Sequence, residues 1–151
     1  MILIFLRGAL AAMWMLIIFT LGTQAGSESA ELSGSVTDTV LSVLEVMEPD
    51  IRRIIDTGAL ESALRTTAHF TLYFFLAVWV YDFLWSFFKD WFRLITETAM
   101  ISLIVAILDE TLQSRIPGRA MQLTDIYVDF LGALCGAMVL TLIFYKMKRV
   151  T

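Results

Sequence analysis

Three short stretches hold most of the chemistry-capable residues that lie beside strongly apolar runs. In "RTTAHFTLYFFL", Arg65, His69 and Tyr73 recur every four residues, so on a helix they share one face. A cation, a titratable imidazole and a phenol then line up. Arg65 could be a snorkelling cation and Tyr73 an interfacial anchor, but that reading leaves the histidine without a reason. In "ILDETLQSRIPGR", Asp109 and Gln113 are four apart and Glu110 and Gln113 three apart, so carboxylate and amide converge if the helix continues past Leu108. Pro117 and Gly118 then break the helix, with Arg115 and Arg119 on either side and close enough to pair with the acids. In "LTDIYVDFLGALCGA", Asp125, Asp129, Gly132 and Gly136 make one helical stripe, which Thr124 or Asp125 is placed to cap. The glycine pair, four apart, would let another helix approach closely.

A charge at the centre of a membrane helix costs roughly 2.5–3.5 kcal/mol on insertion scales, so each of these groups needs a reason. Brought together they would form a polar pocket at one end of a bundle. Arg65, Arg115 and Arg119 would contact an anion there, since guanidinium matches phosphate and carboxylate oxygens. Glu110, Gln113 and Asp125 would position the arginines, and His69 would tune the charge. The competing explanation is a salt-bridge network that ties helix ends together. A third is catalysis, with His69 and Glu110 or Asp109 as acid and base on a lipid headgroup. No nucleophile elbow, zinc-protease motif or phosphate loop is present, so the sequence leans against an enzyme. One histidine and one cysteine, Cys135, supply no metal cage, and no cofactor is expected.

The elements that must position these residues are apolar. Of 151 residues 58% are hydrophobic, and the mean hydropathy is +0.77, above the roughly 45–50% apolar content of soluble domains. A net charge of −4 without basic runs excludes a typical nucleic-acid binder. Four runs are long enough to span a bilayer, at about 1–21, 68–88, 91–108 and 126–145, which predicts an all-α membrane bundle forming a single domain over 1–151. Between the first two, Val36, Val40, Val43, Leu44 and Met47 recur at helical spacing, predicting an amphipathic helix on the bundle or in the interface. A second short helix is expected after Pro49, with Thr57 or Ser62 capping the approach to span two.

Lys146, Lys148 and Arg149 cluster after the last span and place that end in the cytoplasm; with four spans the N-terminus joins it, and the polar stretches lie outside. The first run has a rival reading as a signal peptide cleaved after Ala25, although it lacks a short basic start.

Over nearly its whole length the chain resembles the VanZ-like family of small bacterial membrane proteins. The resemblance rests on "FTLGTQAGSESAELS", on the His-Phe of "RTTAHFTLYFFL" with a tyrosine four residues on, and above all on "DETLQSRIPGRAMQLTDIYVDFLGALCGA". Thr66 stands where many members have lysine, and Asp129 where asparagine is usual: one fewer cation and one more anion than the family pattern. The resemblance implies a four-span protein of the bacterial inner or cell membrane, in a family named for an accessory factor in glycopeptide (teicoplanin) resistance. The partners expected of the polar pocket in such a membrane are lipids or a lipid-linked envelope precursor.

Overall fold

The structure, a computed structural model, describes residues 1–24 and 26–150, with the backbone alone at 26–29 and 148–150. Ala25, and with it the cleavage point, lies outside the described residues, as do the side chains of Lys148 and Arg149. The described residues form six helices and no strand: α1 (Ile2–Gly22), α2 (Gly26–Glu45), α3 (Ile51–Ile54), α4 (Thr57–Leu84), α5 (Trp91–Gln113) and α6 (Leu123–Val150). Four of them, over Ile2–Gly22, Thr57–Leu84, Trp91–Gln113 and Leu123–Met147, are long and apolar enough to cross a membrane. Their outward faces carry large apolar side chains such as Phe5, Phe75, Phe92, Ile104 and Leu142, all exposed. A water-soluble chain would bury such a surface, whereas lipid solvates it.

Inside the bundle α6 packs on α4 and α5, and α1 packs on α4 and α5. Three cross-links set the register of α4 against α6: Arg65 to Asp125, His69 to Asp129 and Tyr81 to Thr141, each pair 60 residues apart. A constant separation means that the two helices run parallel, with α5 returning between them. Small residues make the approach possible. A Cβ on Gly132 would collide with the backbone carbonyl of Phe70, and one on Gly136 would meet that of Phe74, so the glycine pair lets the backbones touch. Ala77, Ala133 and Ala137, fully buried, continue the same seam.

Several boundaries differ from the sequence expectation. Span two begins at Thr57, because Asp56 accepts hydrogen bonds from the Gly58 and Ala59 N–H groups and so caps the helix in place of Thr57 or Ser62. It ends at Leu84, before residue 88. Span three does continue past Leu108, to Gln113. Thr124 and Asp125 lie inside the first turn of α6 and are not its caps; Asp125 there complements the positive end of the helix dipole. The amphipathic helix α2 starts ten positions before Val36 and rests on α4 through one edge of the expected stripe: Thr37 and Leu41 are buried and Val40 and Leu44 half-buried, while Val36 and Val43 are exposed, as is Met47 beyond the helix end. Arg52 ties α3 back to α2 through Asp38 and Glu45, two hydrogen bonds that raise its pKa.

Candidate functional site

The charged residues gather at the end of the bundle where α1 ends and α4 and α6 begin. Arg65, His69 and Tyr73 share one face of α4, as their spacing requires. Arg65 Nη2 donates to Asp125 Oδ2 at 3.1 Å, and His69 Nδ1 lies 3.1 Å from Asp129 Oδ1. The other ring nitrogen, Nε2, is 3.9 Å from Asp125 Oδ2, too long for a hydrogen bond. Asp129 is wholly buried, so the Nδ1–H tautomer, which gives its carboxylate a donor, is the one the surroundings favour, and Nε2 is left as the accessible nitrogen. The histidine's carboxylate partners therefore come from α6, and not from Asp109 or Glu110 on α5.

On α5 the i to i+4 geometry brings Gln113 Nε2 within 2.8 Å of Asp109 Oδ2, and Glu110 Oε2 accepts from the Gln122 N–H at 2.8 Å. These bonds hold one oxygen of each acid. Asp109 Oδ1, Glu110 Oε1, Asp129 Oδ2 and the Tyr73 hydroxyl are buried with no hydrogen-bond partner, as are the hydroxyls of Thr98 and Ser102 deeper along α5. An unmet buried polar group costs about 1–3 kcal/mol. The turn after α5 closes at Gly118, whose φ of 81° suits glycine, and it brings Arg119 back against α1, where Nη1 donates to the Gly22 carbonyl at 2.7 Å. Burial lowers the Arg119 pKa and Arg65 acts in the same direction, against the raising effect of Asp109, Glu110 and Asp125. An arginine stays cationic through such a shift.

Two adjoining cavities open between these groups. The outer, of about 410 Å³, is polar and is lined by Glu61, Ser62, Arg65, Arg119, Gln122 and Asp125 among others. The inner, of about 150 Å³, reaches His69, Tyr73, Asp109 and Gln113 between apolar walls from Ile18, Leu21, Leu32 and Leu72. Arg65, Arg119 and Ser33 line both, so the two arginines stand at the passage from one to the other.

Of the residues singled out from sequence, Arg65, His69, Tyr73, Asp109, Gln113, Arg119 and Asp125 line one cavity or both. Asp129 and Glu110 lie behind that lining, each fully buried. Arg115 is exposed and lines neither cavity, because the turn at Pro117 and Gly118 reverses the chain between the two arginines. Sequence reasoning missed Ser33 and Gln24. Both fall in the serine-spaced "FTLGTQAGSESAELS" stretch, and a helical reading of that stretch would have carried Ser33 toward the pocket. No group of three or more metal-ligating side chains occurs among the described residues.

No curated protein and no solved structure matches the chain. A family profile described as VanZ/LLP1 matches residues 8–145, which take in α1 from Gly8 onward, the helical segment after it and every residue of the two cavities. With that match over nearly its full length, and with four apolar helices of spanning length, the chain belongs to the VanZ/LLP1 family of membrane proteins.

Proposed function

We propose that the paired cavities form a headgroup site for an anionic membrane lipid or a lipid-linked cell-wall precursor, opening on the outer side of the bacterial cell membrane with both termini in the cytoplasm. The observation that supports this reading is the pair of arginines at the passage between the two cavities, above an inner chamber whose polar wall keeps unmet oxygens. Tyr73 and Asp109, 1% and 3% exposed, both line it, and each carries an oxygen with no partner. In the passage above them the Arg65 and Arg119 guanidiniums suit a phosphate, and the Asp109 carboxylate below, one oxygen of which packs against Gly22, suits a hydroxyl or ammonium donor on the same headgroup. An anionic group followed by a donor is the order of chemistry along the cavity. Native mass spectrometry of wild type and Arg119→Ala tests it. Removing a charged donor, worth about 1.5–3 kcal/mol, should lower retention of anionic lipids by roughly tenfold or more. Equal retention would sink the proposal.

A second reading, an intramembrane enzyme working by acid-base chemistry on a lipid headgroup, is favoured by the His69 geometry. Asp129 holds Nδ1 at 3.1 Å, which leaves Nε2 to take or give a proton beside the inner chamber. His69→Gln in proteoliposomes with headgroup-labelled phospholipid separates the two: turnover that disappears while lipid retention persists favours the enzyme, and absence of turnover in wild type excludes it. If the ligand is a cell-wall precursor, deletion should alter glycopeptide tolerance, measured as the inhibitory concentration of teicoplanin.

A further inference from the structure

On the flank between α1 and α4 a third hollow, of about 430 Å³, runs along the outside of the bundle, lined by Leu21, Leu64, Thr67, Ala68, Thr71 and Leu72. Three of these residues, Leu21, Ala68 and Leu72, also line the inner chamber, so the groove and the chamber meet. Its chemistry is apolar despite the two threonines. Thr67 Oγ1 donates to the Ala63 carbonyl at 2.8 Å and Thr71 Oγ1 to the Thr67 carbonyl at 2.7 Å, so both hydroxyls are consumed by the helix they sit on and their methyl groups remain. Ala68, exposed and small, leaves the gap at the junction. Toward the middle of the bundle the groove is closed by Trp14, whose Nε1 donates to the Leu72 carbonyl at 2.8 Å and whose ring lies 5.8 Å from that of Phe75.

We infer that this α1–α4 groove holds the acyl chain of an anionic phospholipid whose headgroup lies in the paired cavities, so that the ligand enters sideways from the bilayer. The inference rests on the headgroup reading given above and adds the route and the second half of the ligand. Continuity decides between the flanks of α4. The hollow on its other side, lined by Thr66, Thr67, Phe70, Val128 and Leu131, shares no residue with the inner chamber. A chain lying there would be cut off from Tyr73 and Asp109.

The test uses the full chain in nanodiscs containing phosphatidylglycerol with a diazirine in mid-acyl chain, with labelled peptides mapped after irradiation. Labelling should concentrate on the Leu64 to Leu72 segment and on Leu21, above that at Val128 and Leu131. Ala68→Trp, which fills the junction from an exposed position, should cut labelling by about tenfold, equivalent to roughly 1.4 kcal/mol. Thr71→Trp narrows the groove without touching the inner chamber and should act in the same direction, which keeps the test open if Ala68→Trp misfolds. Labelling spread evenly over the lipid-facing helices, or indifferent to both tryptophans in folded protein, overturns the inference. The headgroup reading is scored separately with soluble glycerol 1-phosphate. Thermal protection by this probe that depends on Arg119 while the groove stays unlabelled overturns the acyl route alone, and concentrated labelling without such thermal protection overturns the headgroup reading.

Discussion

At the end of the bundle where α1 begins, Arg7 meets Asp82 at 3.0 Å and Ser86 at 3.1 Å, and Trp85 stacks on Phe144 at 4.8 Å beside Trp91 at 5.1 Å. Lys89 lies 4.1 Å over the Trp85 ring and Arg93 lies 3.9 Å over that of Phe88. At the other end, around Arg65, five acids, two arginines and a histidine lie on or just behind the walls of two cavities, and three of the acids keep a buried oxygen with no partner. Both ends set charge at the margin of an apolar bundle. The Arg7 end closes every one of these interactions on itself, which is what an interfacial anchor needs. The Arg65 end leaves polar atoms buried and unmet close to two cavities, a cost that packing elsewhere must offset.

The largest expected effect tests the anchor. Trp85→Ala removes the stacking platform and should lower unfolding stability in detergent by about 3 kcal/mol, while lipid retention by the folded fraction stays at the wild-type level. A change of opposite sign is expected at the other end. Asp109→Asn keeps an acceptor for Gln113 and removes a buried charge, so denaturant titration should show stability unchanged or raised by about 1 kcal/mol, together with weaker lipid retention. If the variant instead disappears from the membrane, the Arg65 end is a clamp like its counterpart and the contrast fails. Asp82→Asn weakens a half-buried ion pair and should cost about 1 kcal/mol or less in the same titration. The smallest effect falls to Arg115→Ala, within about 0.5 kcal/mol and without change in retention, since this arginine is exposed and away from both cavities.

Much of this contrast was legible in the chain. Helical periodicity puts Arg65, His69 and Tyr73 on one face, and the same rule carries Asp109 to Gln113. Both survive because the periodicity of a helix does not depend on its neighbours. What pairs with what depends on register between helices far apart in sequence, and no local rule supplies the 60-residue offset that gives His69 to Asp129 instead of Glu110. Arg115 and Arg119 looked equivalent because their spacing says nothing of which side of a tight turn faces the protein. The helix α2 was half hidden for another reason: its first turns are too rich in serine and glycine to show an apolar stripe, and among its described side chains the buried ones are Thr37 and Leu41, at the edge of that stripe.

The parallel register of α4 and α6 also sets a schedule. Arg65 and His69 leave the ribosome 60 residues before Asp125 and Asp129 exist, and at about 5–20 residues per second that interval is roughly 3–12 s. During that time a guanidinium and an imidazole stand at the lipid margin without their acids, and α5 must cross in the reverse direction before α6 can deliver them. The pairing thus doubles as an inspection of assembly. Only a chain that has threaded its third and fourth spans in the correct sense brings the two acids to the same depth as the two bases, and a wrongly threaded one keeps those charges apart.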